Sequence, residues 1–316
     1  MKSVYLIGAG ALGIRHLEGL LKSKVPLQVT VIDPSPEALE RARAIKPTHH
    51  TVSYSAEIPS GKIDLAIIAT TSGHRAAVIR DLLTRASVRF MILEKILFTR
   101  AEDYELIDAL LKEKNVKAWV NTSLRIMPVR REMREAIRDN AFSIHFAGSS
   151  QHGLMTNLVH YADYACYLAG SSDFGLDTEL LSPRPIDSKR VGYKELLGSV
   201  ELRFKNGSRV LCTSLAHMRP RRTIIASESI RAVFDEADGV VHIAEKRDGW
   251  LWKNQPAPFT YQSDMTGPLV EEILSAGRCD LPTYGESAKV HLNILKPVRS
   301  FLKAHGLVSD VDFPFT

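Results

Sequence analysis

The N-terminal part of the chain alternates short apolar runs with stretches whose apolar residues recur every three or four positions. Val4 to Ile7, Gln28 to Ile32, Leu65 to Ala69, Arg89 to Glu94 and Val116 to Asn121 are short and rich in β-branched residues, as strands buried on both faces require. Between them, Gly13 to Ser23, Pro36 to Ile45, His74 to Arg85 and Ala101 to Asn115 have helical periodicity. Strand and helix in strict alternation predict parallel strands joined by crossover helices. This is an α/β, doubly wound Rossmann-type sheet filling a first domain, residues 1–122.

Beyond residue 122 the pattern changes. A charged helix entered at Pro128, a strand at Phe142 to Gly148 and a helix at Thr156 to Leu168 lead into strands at Gly198 to Phe204, Arg209 to Ala216, Thr223 to Ala226, Ala232 to Asp235 and Val240 to Ala244. The Asn-Gly pair in the turn Lys205 to Ser208 suits a hairpin, and helices at Gly267 to Ala276 and Gly285 to His305 close the chain. The second domain, residues 123–316, is therefore expected to be α+β with a largely antiparallel open sheet.

Composition narrows the partners. A length of 316 residues suits two domains, and no apolar run approaches the roughly 18 residues that span a bilayer. The apolar start is broken by glycines too early for a secretory signal, so a cytoplasmic location is expected. Cys166, Cys212 and Cys279 are isolated, which predicts reduced, packed thiols, and no metal-ligand spacing appears. The net charge of +5 is dispersed along the chain, which argues against nucleic acid and suits an anionic small molecule.

Candidate chemistry begins at Gly8-Ala9-Gly10-Ala11-Leu12-Gly13, between the first strand and the first helix. In that context Gly8 allows a tight turn, Gly10 lets a pyrophosphate approach the backbone, and Gly13 lets helix and strand pack. The N–H groups of Ala11 and Leu12 open the helix toward the phosphates. Asp33 ends the second strand about twenty residues later, where a carboxylate accepts hydrogen bonds from ribose hydroxyls and repels a 2′-phosphate. NAD is thus preferred, with Ser35 and Arg41 leaving room for NADP. Two other readings stay open at this point. Asp33 could cap the helix beginning at Pro36, and S-adenosylmethionine uses a similar loop and acid. Farther on, Thr70, Thr71, Ser72 and His74 follow the Leu65 to Ala69 strand, and Glu94 and Lys95 end the next, all at the ligand-binding edge of such a sheet. In the second domain Thr156, His160 and Asp163 share a helical face.

The segments "GAGALGIRH" with His16, "ATTSGH" with His74, "EK" at Glu94-Lys95, "HYAD" and "LPTYGESAKVH", in this order over nearly the whole chain, resemble the glucose-fructose oxidoreductase, inositol dehydrogenase and rhizopine-catabolism (Gfo/Idh/MocA) family. The resemblance implies a dinucleotide-binding Rossmann domain, followed by a substrate domain whose open sheet makes homodimer or homotetramer contacts. It implies nicotinamide-dependent oxidation or reduction of a carbohydrate-like or cyclic polyol substrate. By the same resemblance Lys95 lies near the nicotinamide and the substrate hydroxyl, and His160 is the acid/base. "RHLEGLL", "VIDPS" and "NLVHYADYACYLAG" are further similar to a branch associated with surface-polysaccharide and nonulosonic sugars, which favours a sugar or sugar-nucleotide.

Two departures stand out. Isoleucine occupies position 96, where the family commonly has proline after Glu-Lys; a cis bond is cheap before proline and costs about 2.5 to 4 kcal/mol otherwise, so a different presentation of Lys95 is expected. Thr156 stands four residues before His160 where the family has aspartate, with Asn157 and Asp163 as substitutes off that position. Arg125, Arg130, Arg219, Arg221 and Arg222 are candidates to meet a substrate phosphate or carboxylate. The expected chemistry is hydride transfer with His160 as base, Lys95 lowering the pKa of the hydroxyl, Asp163 orienting the histidine, and Arg125, Thr156 and Asn157 binding substrate. The alternative is a non-catalytic NAD(P)-binding sensor of the same fold, favoured by the two departures.

Overall fold

The computed structural model describes residues 1–47, 49–138, 140–149, 153–217, 221–307 and 311–316. It divides into two compact units, Met1–Asn121 with Thr260–Gly285, and Thr122–Phe259 with Glu286–Thr316. The segment Thr260–Gly285, which the sequence reading assigned to the second domain, thus belongs with the first unit.

In the first unit six parallel strands, β1 (Lys2–Ile7), β2 (Leu27–Ile32), β3 (Thr51–Ser55), β4 (Gly61–Ile68), β5 (Ala86–Leu93) and β6 (Lys117–Val120), lie in the order β3-β2-β1-β4-β5-β6. Helices α1 (Ala11–Leu20), α2 (Pro36–Arg43), α3 (Ser72–Arg85) and α4 (Glu102–Glu113) make the crossovers. The expected doubly wound sheet is present, with β3 added. Val4, Leu6, Val29, Val31, Leu65, Ile67, Met91 and Ile92 are fully buried at its centre. Strand order reverses beside β1, which opens a crevice between the C-terminal ends of β1 and β4.

The return of the later segment has a steric explanation. Helix α7 (Gln262–Ala276) lies against α1, where a Cβ on Gly19 would stand 2.7 Å from the Thr266 Cβ and one on Gly267 would stand 2.7 Å from the Gly19 carbonyl. Two facing glycines let the backbones meet. After α7, Pro282 accepts the Val120 N–H at 3.0 Å, tying the segment to the β6 edge.

The second unit is a mixed, mostly antiparallel sheet. It comprises β7 (Phe142–Ser149), β8 (Phe174–Asp177), β11 (Gly198–Phe204), β12 (Arg209–Leu215), β13 (Arg222–Ser227), β14 (Ile230–Asp235), β15 (Val240–Glu245) and β16 (Lys253–Pro256), in the order β16-β15-β14-β13-β7-β12-β11-β8. Only the β7–β12 pair is parallel. A short ladder of β9 (Ile186–Asp187) and β10 (Lys194–Glu195) stands apart. Helix α6 (Leu154–Ala169) packs on β7 and β12, Tyr161 stacking on Phe146 of β7 at 4.2 Å, and α5 (Pro128–Ile137) packs on α6. Helix α8 (Tyr284–Ala304) follows. Leu215 and Ile224, on the sheet, are nearly half exposed. No helix among the described residues is long and apolar enough to cross a membrane. Cys166 and Cys212 are buried free thiols and Cys279 is half-buried.

Candidate functional site

The glycine loop has the geometry its spacing predicts. Gly8 has φ +101°, which favours glycine, and a Cβ there would meet the Ala69 and Thr70 backbone at 2.9 Å. A Cβ on Gly13 would stand 1.8 Å from the Gly8 carbonyl, so this glycine is required for α1 to pack on β1. Nothing lies within 4 Å of a Cβ on Gly10, the N-cap of α1, and no side chain caps this helix. Its first N–H groups, those of Ala11 and Leu12 among them, stand at an open helix end with no acidic residue in the first turn, which favours an anion.

A cavity of about 580 Å³ adjoins the loop, lined by Gly8, Gly10, Asp33, Thr70, Thr71 and His74, with Glu57, Asp81 and Arg85 on the remaining wall. Asp33 accepts the Ala9 N–H at 2.6 Å and the Ser35 N–H at 2.9 Å. The cap of α2 is Ser35, whose hydroxyl accepts the Ala38 N–H at 3.2 Å, so the helix-cap reading of Asp33 does not hold. The Thr70 hydroxyl is buried and has no hydrogen-bond partner among the described residues. An open glycine cradle, a carboxylate at the end of β2 and an unmatched hydroxyl on the cavity wall together fit a dinucleotide. Among the predicted cofactor residues Ala11, Leu12, Gly13, Glu94 and Lys95 do not line this cavity. Glu57, Asp81 and Arg85 were not singled out in the sequence: Glu57 follows β3, which was not recognised, and Asp81 and Arg85 stand four residues apart on α3, where they form an ion pair at 2.7 Å.

Glu94 faces inward. It is 2% exposed; its Oε1 is 2.8 Å from His16 Nε2 and also accepts the Asn121 amide, while His16 Nδ1 lies 3.0 Å from the Thr266 hydroxyl of α7. Gln262 of α7 accepts the other Asn121 bond at 2.7 Å. Burial pushes the Glu94 carboxyl up, but the His16 and Asn121 hydrogen bonds and the charges of His16 and Lys95 outweigh it and hold the pKa at about 2. Glu94 is thus occupied in a buried network that anchors the end of β5.

Lys95 follows, half-buried, and the Lys95–Ile96 peptide bond is cis although residue 96 is isoleucine. The Ile96 carbonyl accepts from Arg75, a 1% exposed residue of α3 that also donates to the Leu97 carbonyl at 3.0 Å and to the Thr70 carbonyl. Arg75 therefore fastens the ends of β4 and β5 together beneath the crevice. It was not singled out in the sequence; the signal was an arginine in register with buried Ile79 and Leu82.

In the second unit Thr156, Asn157 and His160 share the half-buried face of α6. Asp163 is fully buried and bound by Arg125 through two bonds of 2.9 and 2.6 Å. Burial works against the charge of Arg125, and the Asp163 carboxylate overcomes this and raises the guanidinium pKa. Asp163 and Arg125, read as an orienting acid and a substrate ligand, instead engage each other. The other arginines have similar structural partners. Arg130 binds Glu236 at 2.8 Å, Arg221 pairs with the same carboxylate, and Arg222 reaches Asp235 at 3.2 Å; Arg219 lies outside the described residues. Thr156 donates to Glu195 and, at 3.2 Å, to the Thr316 carbonyl. Asn157 donates to the Gly153 carbonyl at 3.0 Å.

A sequence model described as the oxidoreductase family, NAD-binding Rossmann fold (GFO_IDH_MocA), matches residues 2–122. The match covers the first domain, which is thus similar to the NAD-binding domain of the Gfo/Idh/MocA oxidoreductases. Solved structures extend the likeness of fold to the whole chain. Aldose-aldose oxidoreductase from Caulobacter crescentus, complexed with glycerol, superposes with a TM-score of 0.72 at 16% identity, covering 96% of this chain and 98% of its own. UDP-N-acetylglucosamine 3-dehydrogenase from Acidithiobacillus ferrooxidans gives 0.67 at 14% identity, covering 97% of each chain. Biliverdin reductase from Synechocystis sp. PCC 6803, with biliverdin and NADP+, gives 0.69 at 14%, covering 96% and 98%. These identities establish a shared fold. No curated protein matches the chain.

Proposed function

We propose that this protein transfers hydride between a nicotinamide and a secondary alcohol or ketone of a sugar, sugar-nucleotide or cyclic polyol. The observation that carries the reading is the glycine cradle at an uncapped helix end, with Asp33 and Thr70 on the adjoining cavity wall. Gly8, Gly10 and the N–H groups of Ala11 and Leu12 would hold the pyrophosphate, Asp33 the adenosine ribose, and Thr70, Thr71 and His74 the wall along the dinucleotide. A bound nicotinamide supplies a carbon, C4, that accepts or returns the hydride.

In the oxidising direction the substrate hydroxyl loses its proton as its carbon loses hydride, leaving a carbonyl. His160 accepts that proton, imidazole being the side-chain type suited to a base near neutral pH. Lys95 stabilises negative charge on the oxygen as the proton departs. Thr156 and Asn157, beside His160 on α6, are the proposed substrate ligands. The sugar-like substrate class draws on the aldose and UDP-sugar enzymes of the same fold, and the biliverdin reductase shows that the fold also admits other substrates. The open face of the second unit's sheet is the proposed surface for homodimer or homotetramer formation.

The test is turnover of NAD+ or NADH across a panel of sugars, polyols and nucleotide sugars, preceded by cofactor titration. NADH is expected to bind more tightly than NADPH by nicotinamide fluorescence. Asp33→Ser should weaken NADH about tenfold, the scale of losing hydrogen bonds to a charged acceptor, and strengthen NADPH. Binding of S-adenosylmethionine without either nicotinamide refutes the proposal, and cofactor binding without turnover on any member of the panel favours the sensor.

A further inference from the structure

We propose that Glu195 is a positioning residue for His160, supplying from the β9–β10 ladder the carboxylate that the helix bearing this histidine lacks at Thr156. The inference rests on the reading of His160 as acid/base.

Glu195 is 4% exposed and reaches the first turn of α6. It accepts the Met155 and Thr156 N–H groups, each at 2.8 Å, and the Thr156 hydroxyl. A carboxylate so deeply buried stays ionised where N–H donors and the positive end of a helix compensate it. The backbone is shaped around it. Gly153 takes φ +66°, and a Cβ there would stand 2.3 Å from Glu195 Oε1, so the entry to α6 is kept clear for this side chain.

Thr156 and His160 are four residues apart on the half-buried face of α6. Side chains in an α-helix lean toward its N-terminus, so the imidazole leans back over the turn that Glu195 holds. A negative charge one turn away favours the imidazolium and makes His160 a stronger base.

Among the described residues, the other charged groups on the elements packed against α6 have contacts of their own. Asp163, on α6 itself, is neutralised by Arg125 from the Ser123–Ile126 turn. Arg130 and Arg134 of α5 lie over the rings of Tyr164 and Tyr167. Lys194 of β10 pairs with Asp187 on the exposed surface, His145 of β7 faces Thr213, and burial keeps the Cys212 thiol of β12 neutral. Glu195 is the acidic side chain bonded to Thr156, whose hydroxyl also donates to a Thr316 main-chain oxygen, with the Arg190 guanidinium on the Thr316 side chain at 3.3 Å.

The experiment is an NMR titration of the His160 imidazole in the full chain labelled with 13C-histidine, the signal being assigned with His160→Asn. Glu195→Gln keeps the size and an acceptor but removes the charge. It should lower the His160 pKa by about half to one pH unit and move the acidic limb of kcat/KM by the same amount. T156D/E195Q returns a carboxylate to the same turn and should bring the pKa back to within about 0.3 unit of wild type, whereas T156N/E195Q, which can cap the helix without charge, should keep it low. The two double variants decide the matter even if Glu195→Gln alone does not fold. Equal His160 pKa values in T156D/E195Q and T156N/E195Q overturn the proposal. A titration that moves as expected, with His160→Asn retaining full turnover, upholds the role of Glu195 and overturns the assignment of His160 as base.

Discussion

Lys95→Met lowers turnover by about two to four orders of magnitude while changing NADH affinity less than about threefold, and His160→Asn does the same. The two quantities separate because they rest on different residues. Affinity draws on the cavity beside the glycine loop, whose lining includes neither Lys95 nor His160. In the proposed mechanism turnover depends on charge that appears only as the hydroxyl proton departs, so losing either group is expected to remove stabilisation specific to the transition state and to lower kcat more than it raises KM. Methionine matches lysine in length and apolar stem, and isolates the ammonium. Lys95→Arg restores a cation of different shape and should recover only part of the loss. Single-turnover kinetics with the best substrate of the panel provides the check. Turnover within threefold of wild type in both variants would falsify the catalytic assignment.

How much of this site can be read from sequence depends on how local its contacts are. The glycine cradle spans six residues between a strand and a helix, and local rules of chain geometry define it. Asp33 was legible as an acid at a strand end, and the competing helix-cap role was excluded only when Ser35 was seen to cap α2. Asp163 and Arg125 each stood out alone. Their pairing spans 38 residues, and neither spacing nor periodicity encodes it. Glu195 lies in an irregular stretch with little hydrophobic pattern, and its contacts to Met155 and Thr156 span 40 and 39 residues.

Fold prediction failed at similar places. The strand periodicity of β3 is weak because its residues are exposed or half-buried, so it went unseen, whereas β4 and β5, each ending in four consecutive buried apolar residues, were plain. The assignment of α7 to the first unit rests on Gly19 facing Gly267, a close approach between residues nearly 250 positions apart. A helix pattern shows which face is apolar and not which helix receives it. Arg75 shows the converse: an arginine on the inward face of a helix reads as an error in the pattern until three backbone carbonyls are found around it.

Glu94→Gln flattens the acid limb of the protein's stability curve. In the native state the carboxylate is held at about 2 by His16, Asn121 and Lys95 against the cost of burial, while in the unfolded chain it titrates near its ordinary value of about 4.3. Because the folded pKa is the lower one, the stabilisation is complete above the unfolded value and is lost as pH falls toward the folded value. A shift of this size corresponds to about 3 kcal/mol, spread over the window from roughly pH 5 to pH 2. Urea unfolding should show wild type losing that amount across the window in excess of Glu94→Gln. At pH 7 the variant should be less stable by about 3 kcal/mol, since an amide cannot compensate the buried His16 ring as a carboxylate does. Parallel stability curves for the two proteins between pH 5 and pH 2 would show that the His16–Glu94 contact carries no net charge interaction. The network would then hold the end of β5, and Lys95 with it, by hydrogen-bond geometry alone.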